Sequence, residues 1–146
     1  MPAGERSAAY FDTSALVKCY ITERGSAAAL DVFARHAVVS SALARVEVAS
    51  ALRRHRTTAG SGVAAAIAQR VRLERREWRL VAMDDAVVAR AEQVAATEPI
   101  RALDAVHLAT ALVFREETGI EPPFITADGR QRAAATTLGL DVIFIE

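Results

Sequence analysis

Four acidic residues stand at positions where packing alone does not ask for an acid: Asp12, Glu47, Asp104 and Asp128. Asp104 lies inside the run RALDAVHLATAL (residues 101–112), where Leu103, Val106, Ala109 and Thr110, with Val113 just beyond, recur at helical spacing. Pro99 suits a chain about to enter a helix, so Asp104 falls in the first turn. A lone acid there also serves simply to meet the exposed N–H groups and the helix dipole. Glu47, projected at about 100° per residue, shares a stripe with Leu43, Val46 and Ser50 rather than a charged face. Asp12 and Asp128 follow short apolar runs. Four carboxylates in one crevice repel one another unless a cation compensates. With oxygen donors, no Cys pair and no His pair at ligand spacing, the cation is a hard one, Mg²⁺ or Mn²⁺, rather than zinc. Its natural chemistry is phosphoryl transfer or phosphodiester hydrolysis.

The elements that must position these acids alternate. Residues 8–11 predict a strand that ends abruptly at Asp12, and residues 15–20 a helix capped by Thr13 or Ser14. A second helix is expected over 26–36, and a buried β-branched strand over 37–40, with Ser41 capping the helix 42–57. Thr57 to Gly62 predicts a loop, followed by an Ala- and Arg-rich helix over 63–77. Residues 80–82 predict a strand, Asp84-Asp85 the cap of a helix to Thr97, and Gly119 the close of the Asp104 helix. Residues 123–126 predict a strand ending toward Asp128, then a helix to Leu138-Gly139 and a last strand over 141–145. Short apolar strands alternating with helices imply an α/β fold, a three-layer α/β/α sandwich with a mostly parallel central sheet. Ligands of such sheets lie outside the carboxyl ends of the strands, and all four acids belong to that edge.

Length and composition agree with one domain spanning residues 1–146, since 52% apolar residues can bury a sizeable core. Eighteen basic and eighteen acidic residues cancel, so net charge predicts neither nucleic-acid binding nor its absence. The single Cys19 excludes an internal disulfide and a Cys-based zinc site and reads as a packing residue. The first nine residues lack an apolar signal segment, and no run reaches the roughly 18 apolar residues of a membrane span. The expectation is a cytoplasmic protein without a membrane partner.

Four blocks, in order, are YFDTSALVK (residues 10–18), VEV (46–48), RALDAVHLATA (101–111) and FITAD (124–128). Together they resemble the four blocks of a PIN domain, most closely the VapC-type toxin branch, over almost the whole chain. The resemblance implies a metal-dependent endoribonuclease acting on structured RNA such as tRNA or rRNA, silenced by a co-expressed antitoxin, and homodimeric. It implies Asp12 and Asp104 as principal metal ligands, with Glu47 and Asp128 completing the catalytic acidic site. Thr13, Ser14 and Thr126 match polar positions that hold the acids or the attacking water. Gln131 departs from the pattern, because related sequences often carry an apolar residue three places after the last acid.

Residues 45–79 carry nine Arg against three Glu, an excess of six positive charges on a neutral chain. That stretch suits RNA phosphates, an acidic antitoxin segment, or a solvated face of Arg–Glu pairs. Trp78 is suited equally to the core and to base stacking, and His107 to a packed, hydrogen-bonded place rather than a ligand. Other readings are a PIN nuclease of RNA processing without an antitoxin and a non-catalytic RNA-binding module. An aspartyl-phosphatase reading fails at Ser14, where a second acid is needed.

Overall fold

A computed structural model describes residues 5–146. The reading of the amino terminus as lacking a signal segment therefore falls partly, at Met1–Gly4, outside the described residues. Among the described residues no helix is long and apolar enough to cross a membrane.

Five short strands form one wholly parallel sheet: β1 (Ala8–Phe11), β2 (Ala37–Ser41), β3 (Arg79–Val81), β4 (Phe124–Thr126) and β5 (Val142–Phe144). Their spatial order is β3-β2-β1-β4-β5. The chain builds outward from β1 through β2 to β3, then returns to the other side of β1 for β4 and β5. The order thus reverses at the β1–β4 boundary, which is where a parallel sheet opens a crevice at its carboxyl edge.

Side chains alternate across the sheet, as strand geometry requires. Ala9, Phe11, Val38 and Ile125 face one layer, which holds α1 (Thr13–Lys18), α2 (Ser26–Arg35), α3 (Ala44–Ala59) and α4 (Ser61–Glu74). Tyr10, Val39 and Phe124 face the other, which holds α5 (Asp85–Thr97), α6 (Ala102–Thr118) and α7 (Gly129–Thr137). Both faces are covered, so the strands read as continuous apolar runs rather than as alternating ones. Trp78 and Cys19 belong to the first core layer. Burial pushes the Cys19 thiol up to about 12, which keeps it protonated and inert.

Three boundaries differ from the sequence reading for identifiable reasons. The expected loop at Thr57 to Gly62 shrinks to Gly60 between α3 and α4. Thr57 and Thr58 keep their hydroxyls on the carbonyls of Arg54 and His55 and remain helical, while Gly60 makes the turn at φ 85°. The first helix begins two residues earlier than expected, because Asp12 itself, not Thr13 or Ser14, is the cap. Ser41 ends β2 and accepts the Leu43 N–H instead of capping a helix from residue 42, so the next helix starts at Ala44 with Leu43 at its N-cap.

Candidate active site

Asp12 leaves β1 at the reversal point and turns into α1. Its Oδ1 accepts the Ala15 N–H at 3.0 Å and the Ser14 hydroxyl at 2.6 Å. Its Oδ2 accepts the hydroxyl of Thr126, the last residue of β4, at 2.5 Å. Asp12 is only 3% exposed and makes no ion pair with Lys or Arg among the described residues. Burial raises its carboxyl above the ordinary value, against the opposing pull of His107 and of the three donors.

Thr126 is shared further. Its hydroxyl oxygen accepts the N–H of Asp128, and Asp128 Oδ1 in turn caps α7 through the N–H groups of Arg130 and Gln131. Ser14 also accepts the Ala127 N–H. These bonds bring the turn after β4 against the turn after β1.

Glu47 comes from the first turn of α3, and its Oε1 accepts two hydrogen bonds. Thr13 donates its hydroxyl at 2.8 Å, and His107 Nε2 lies at 2.6 Å. Burial pushes the Glu47 carboxyl up, but the hydrogen bond and charge of His107, together with Thr13, outweigh it and leave the group lowered. Asp104, in the first turn of α6, is raised by burial and then by the charge of Asp128, with Arg101 opposing at 3.8 Å. The like charge of Asp128 disfavours ionisation of Asp104.

All four acids line one open cleft of about 780 Å³ at the carboxyl edge of the sheet. Arg54, Arg101 and Lys18 stand on its walls. Among the described residues, no three His, Cys, Asp or Glu side chains close into a ready metal cage. The donor set nonetheless fits a hard divalent cation: it is all carboxylate oxygen, and a deeply buried Asp12 lacks a basic partner.

The sequence placed Asp12, Glu47, Asp104 and Asp128 at one edge, and the fold delivers all four to one cleft. Thr13 donates to Glu47, and Ser14 and Thr126 donate to Asp12. Sequence reasoning missed Tyr10, whose hydroxyl meets His107 Nδ1 at 2.8 Å, and the bond from His107 to Glu47. The one available signal was spacing, since His107 lies one turn after Asp104 on the same side of α6.

The family model of the PIN domain matches residues 9–136. The chain belongs to the PIN domain family. This PIN domain is 39% identical over 138 residues to Ribonuclease VapC46 of Mycobacterium tuberculosis, spanning 94% of this chain and 97% of the relative. It superposes on a toxin–antitoxin complex from Klebsiella pneumoniae with a TM-score of 0.63 at 20% identity, covering 92% of this chain and 95% of that one. The crystal structure of FitAcB from Neisseria gonorrhoeae gives a TM-score of 0.66 at 16% identity, again over 92% and 95%. VapBC-5 from Mycobacterium tuberculosis gives 0.53 at 19% identity over 96% and 98%. At these identities the three structures establish the PIN-like α/β fold.

Proposed function

We propose that this PIN domain, a single unit over residues 1–146, is a toxin endoribonuclease that hydrolyses RNA phosphodiester bonds with Mg²⁺, or Mn²⁺ in its place. The observation that carries the reading is the convergence of Asp12, Glu47, Asp104 and Asp128 on one cleft walled by Arg54, Arg101 and Lys18. The ribonuclease name of the mycobacterial relative, matched along nearly its full length, supports the same chemistry.

Asp12, Asp104, Glu47 and Asp128 are the residues that would hold the ion. When bound, a divalent cation supplies charge neutralisation at a phosphodiester and acidification of water. The chain supplies the rest. Ser14, Thr126 and the Ala15 N–H hold Asp12 in one rotamer, so its carboxylate needs no reorganisation as charge develops. Burial of Asp12 excludes water from the floor of the cleft and strengthens electrostatics there. Arg54 and Arg101 bind the phosphates flanking the scissile one and orient the strand over the acids. No side chain acts as nucleophile; water attacks in line, giving a 5′-phosphate and a 3′-hydroxyl.

The substrate class is structured RNA, tRNA or rRNA, cut in the cytoplasm to arrest translation. The partner is a cognate antitoxin, a reading supported by the toxin–antitoxin complexes among the structures of this fold, and the toxin acts as a homodimer. Incubating purified protein with total RNA in Mg²⁺, Mn²⁺ or EDTA tests the proposal. Discrete fragments that require metal and vanish in Asp104→Asn are expected. Intact RNA with folded wild-type protein in both metals would overturn it.

A further inference from the structure

His107 is 2% exposed, yet three polar groups surround its ring. Nδ1 lies 2.8 Å from the Tyr10 hydroxyl, and Nε2 lies 2.6 Å from Glu47 Oε1 and 3.1 Å from Thr13 Oγ1. Donor counting fixes the protons. A carboxylate oxygen offers only lone pairs, so an unprotonated Nε2 at that distance would face another acceptor. Nε2 therefore carries a hydrogen. The Thr13 proton is already committed to Glu47, so the Thr13 oxygen also presents a lone pair to Nε2–H. In a neutral ring Nδ1 is then the acceptor, and the Tyr10 hydroxyl donates to it. In a charged ring Nδ1–H donates to the Tyr10 oxygen, and Nε2–H still points at Glu47. The contact is independent of the ring's charge.

The same geometry constrains Glu47. Its side chain is 24% exposed and reaches the cleft from α3, while its bonded oxygen is turned toward the buried ring on α6. Among the described residues Oε2 has no protein donor. Tyr10 cannot drift, since its ring is fully buried and stacked on Phe124 with centroids 5.3 Å apart. The order runs from core to cleft: Phe124 holds Tyr10, Tyr10 holds His107, and His107 holds Glu47.

We propose that His107 is a positioning residue for the nuclease site, donating Nε2–H to Glu47 Oε1 so that Oε2 alone is presented to the cleft, with Tyr10 holding the ring. The proposal rests on the ribonuclease reading for its kinetic consequence, but its geometric part can be checked without any activity. A hydrogen-bonded partner behind an ion-binding side chain is commonly worth about 10- to 100-fold in affinity or rate.

The first experiment is long-range ¹H–¹⁵N correlation NMR on the metal-free wild-type protein, which reads the protonated nitrogen of His107 directly. Protonated Nε2 is expected, and a ring protonated only at Nδ1 would overturn the proposal. The second compares His107→Leu, which fills the buried space without a donor, with His107→Gln, whose amide places a donor near the Nε2 position. His107→Leu is expected to lose about 10- to 100-fold in kcat with KM little changed, while His107→Gln recovers most of it. Equal losses in both variants, or a folded His107→Leu with wild-type kcat, would overturn the positioning role. If His107→Leu does not fold, Tyr10→Phe takes its place: a several-fold lower kcat supports the proposal and an unchanged one overturns it. Wild-type protein that leaves RNA intact would defeat the ribonuclease reading, whereas the NMR result would still decide whether His107 holds Glu47.

Discussion

The Thr126 hydroxyl donates to Asp12 Oδ2 at 2.5 Å, joining the ends of β4 and β1 across 114 residues of sequence. Thr126 also accepts the Asp128 N–H, so one side chain sets the relative placement of two acids contributed by different strands. Thr126→Val keeps the shape and removes the hydroxyl. Cleavage should fall by about 10- to 100-fold, and stability by about 1–3 kcal/mol, because Asp12 Oδ2 is left buried without its donor. Single-turnover kinetics and a denaturant melt of the same preparation check both parts. A variant that melts lower but cleaves normally would show the hydroxyl to be structural only.

The burial and crowding of Asp104 give a stability signature with a definite sign. Its folded-state carboxyl is raised above the ordinary 3.8. In the metal-free protein the folded form therefore holds its proton more tightly than the unfolded chain. The stabilisation from this group is complete below 3.8 and is lost as pH rises through the folded value. Asp104→Asn stays neutral throughout. Thermal melts in EDTA should show the variant more stable than wild type at neutral pH, with the gap closing as pH falls below 3.8. A variant less stable than wild type at neutral pH contradicts this. Glu47 has the opposite sign, since its carboxyl is lowered.

The acids and their frame were unequally legible in the sequence. Asp12 and Thr126 could be placed because short apolar runs stop at them, and a parallel sheet puts such stops on one edge. Glu47 and Asp104 could be placed because each interrupts an apolar helical stripe. The contact from His107 to Glu47 spans 60 residues between two helices on opposite faces of the sheet. No local periodicity encodes which inner-facing side chains meet over a sheet edge. The α3–α4 connection misled for a different reason: Thr57, Thr58 and Ser61 have turn chemistry, but the two threonines satisfy helical carbonyls instead. Trp78, open between core and stacking platform, is resolved by packing against Tyr20 at 6.1 Å between ring centroids.

A cation that binds the folded protein stabilises it by mass action, by about 2.7 kcal/mol at a hundredfold excess over its dissociation constant. Mg²⁺ or Mn²⁺ should therefore raise the melting temperature of wild type, and EDTA should return it. Asp12→Asn should abolish the response, because the buried carboxylate without a basic partner is the one with most to gain from a cation. An equal rise in wild type and variant would place the ion elsewhere.

Arg54 and Arg101 flank the acids on the cleft wall, and both residues are exposed. Each phosphate neutralised on a single strand contributes about 0.7 to the slope of log affinity against log salt. Binding of RNA to a cleavage-inactive Asp104→Asn background, titrated across salt, should lose about that much slope with Arg54→Ala. Arg53→Ala, outside the cleft lining, should leave the slope unchanged. If both substitutions weaken binding alike, the basic stretch acts as a diffuse field rather than through the cleft wall.

Gln131 is 1% exposed, a polar side chain in the core between α6 and α7. Its Nε2 donates to the Asp104 carbonyl at 3.3 Å, a long bond, and its Oε1 is buried without a partner among the described residues. A weak bond gained against a stranded carbonyl is a net cost, of the order of 1 kcal/mol. Gln131→Leu has similar volume and removes both groups, so its melting temperature should rise. Cleavage should stay near wild type, because the Asp104 carbonyl, not its carboxylate, is what the amide touches. A lower melting temperature would mean that Oε1 is satisfied in solution, by a buried water bridging α6 and α7. A normal melt with impaired cleavage would instead make the amide a strut that sets the separation between Asp104 and Asp128.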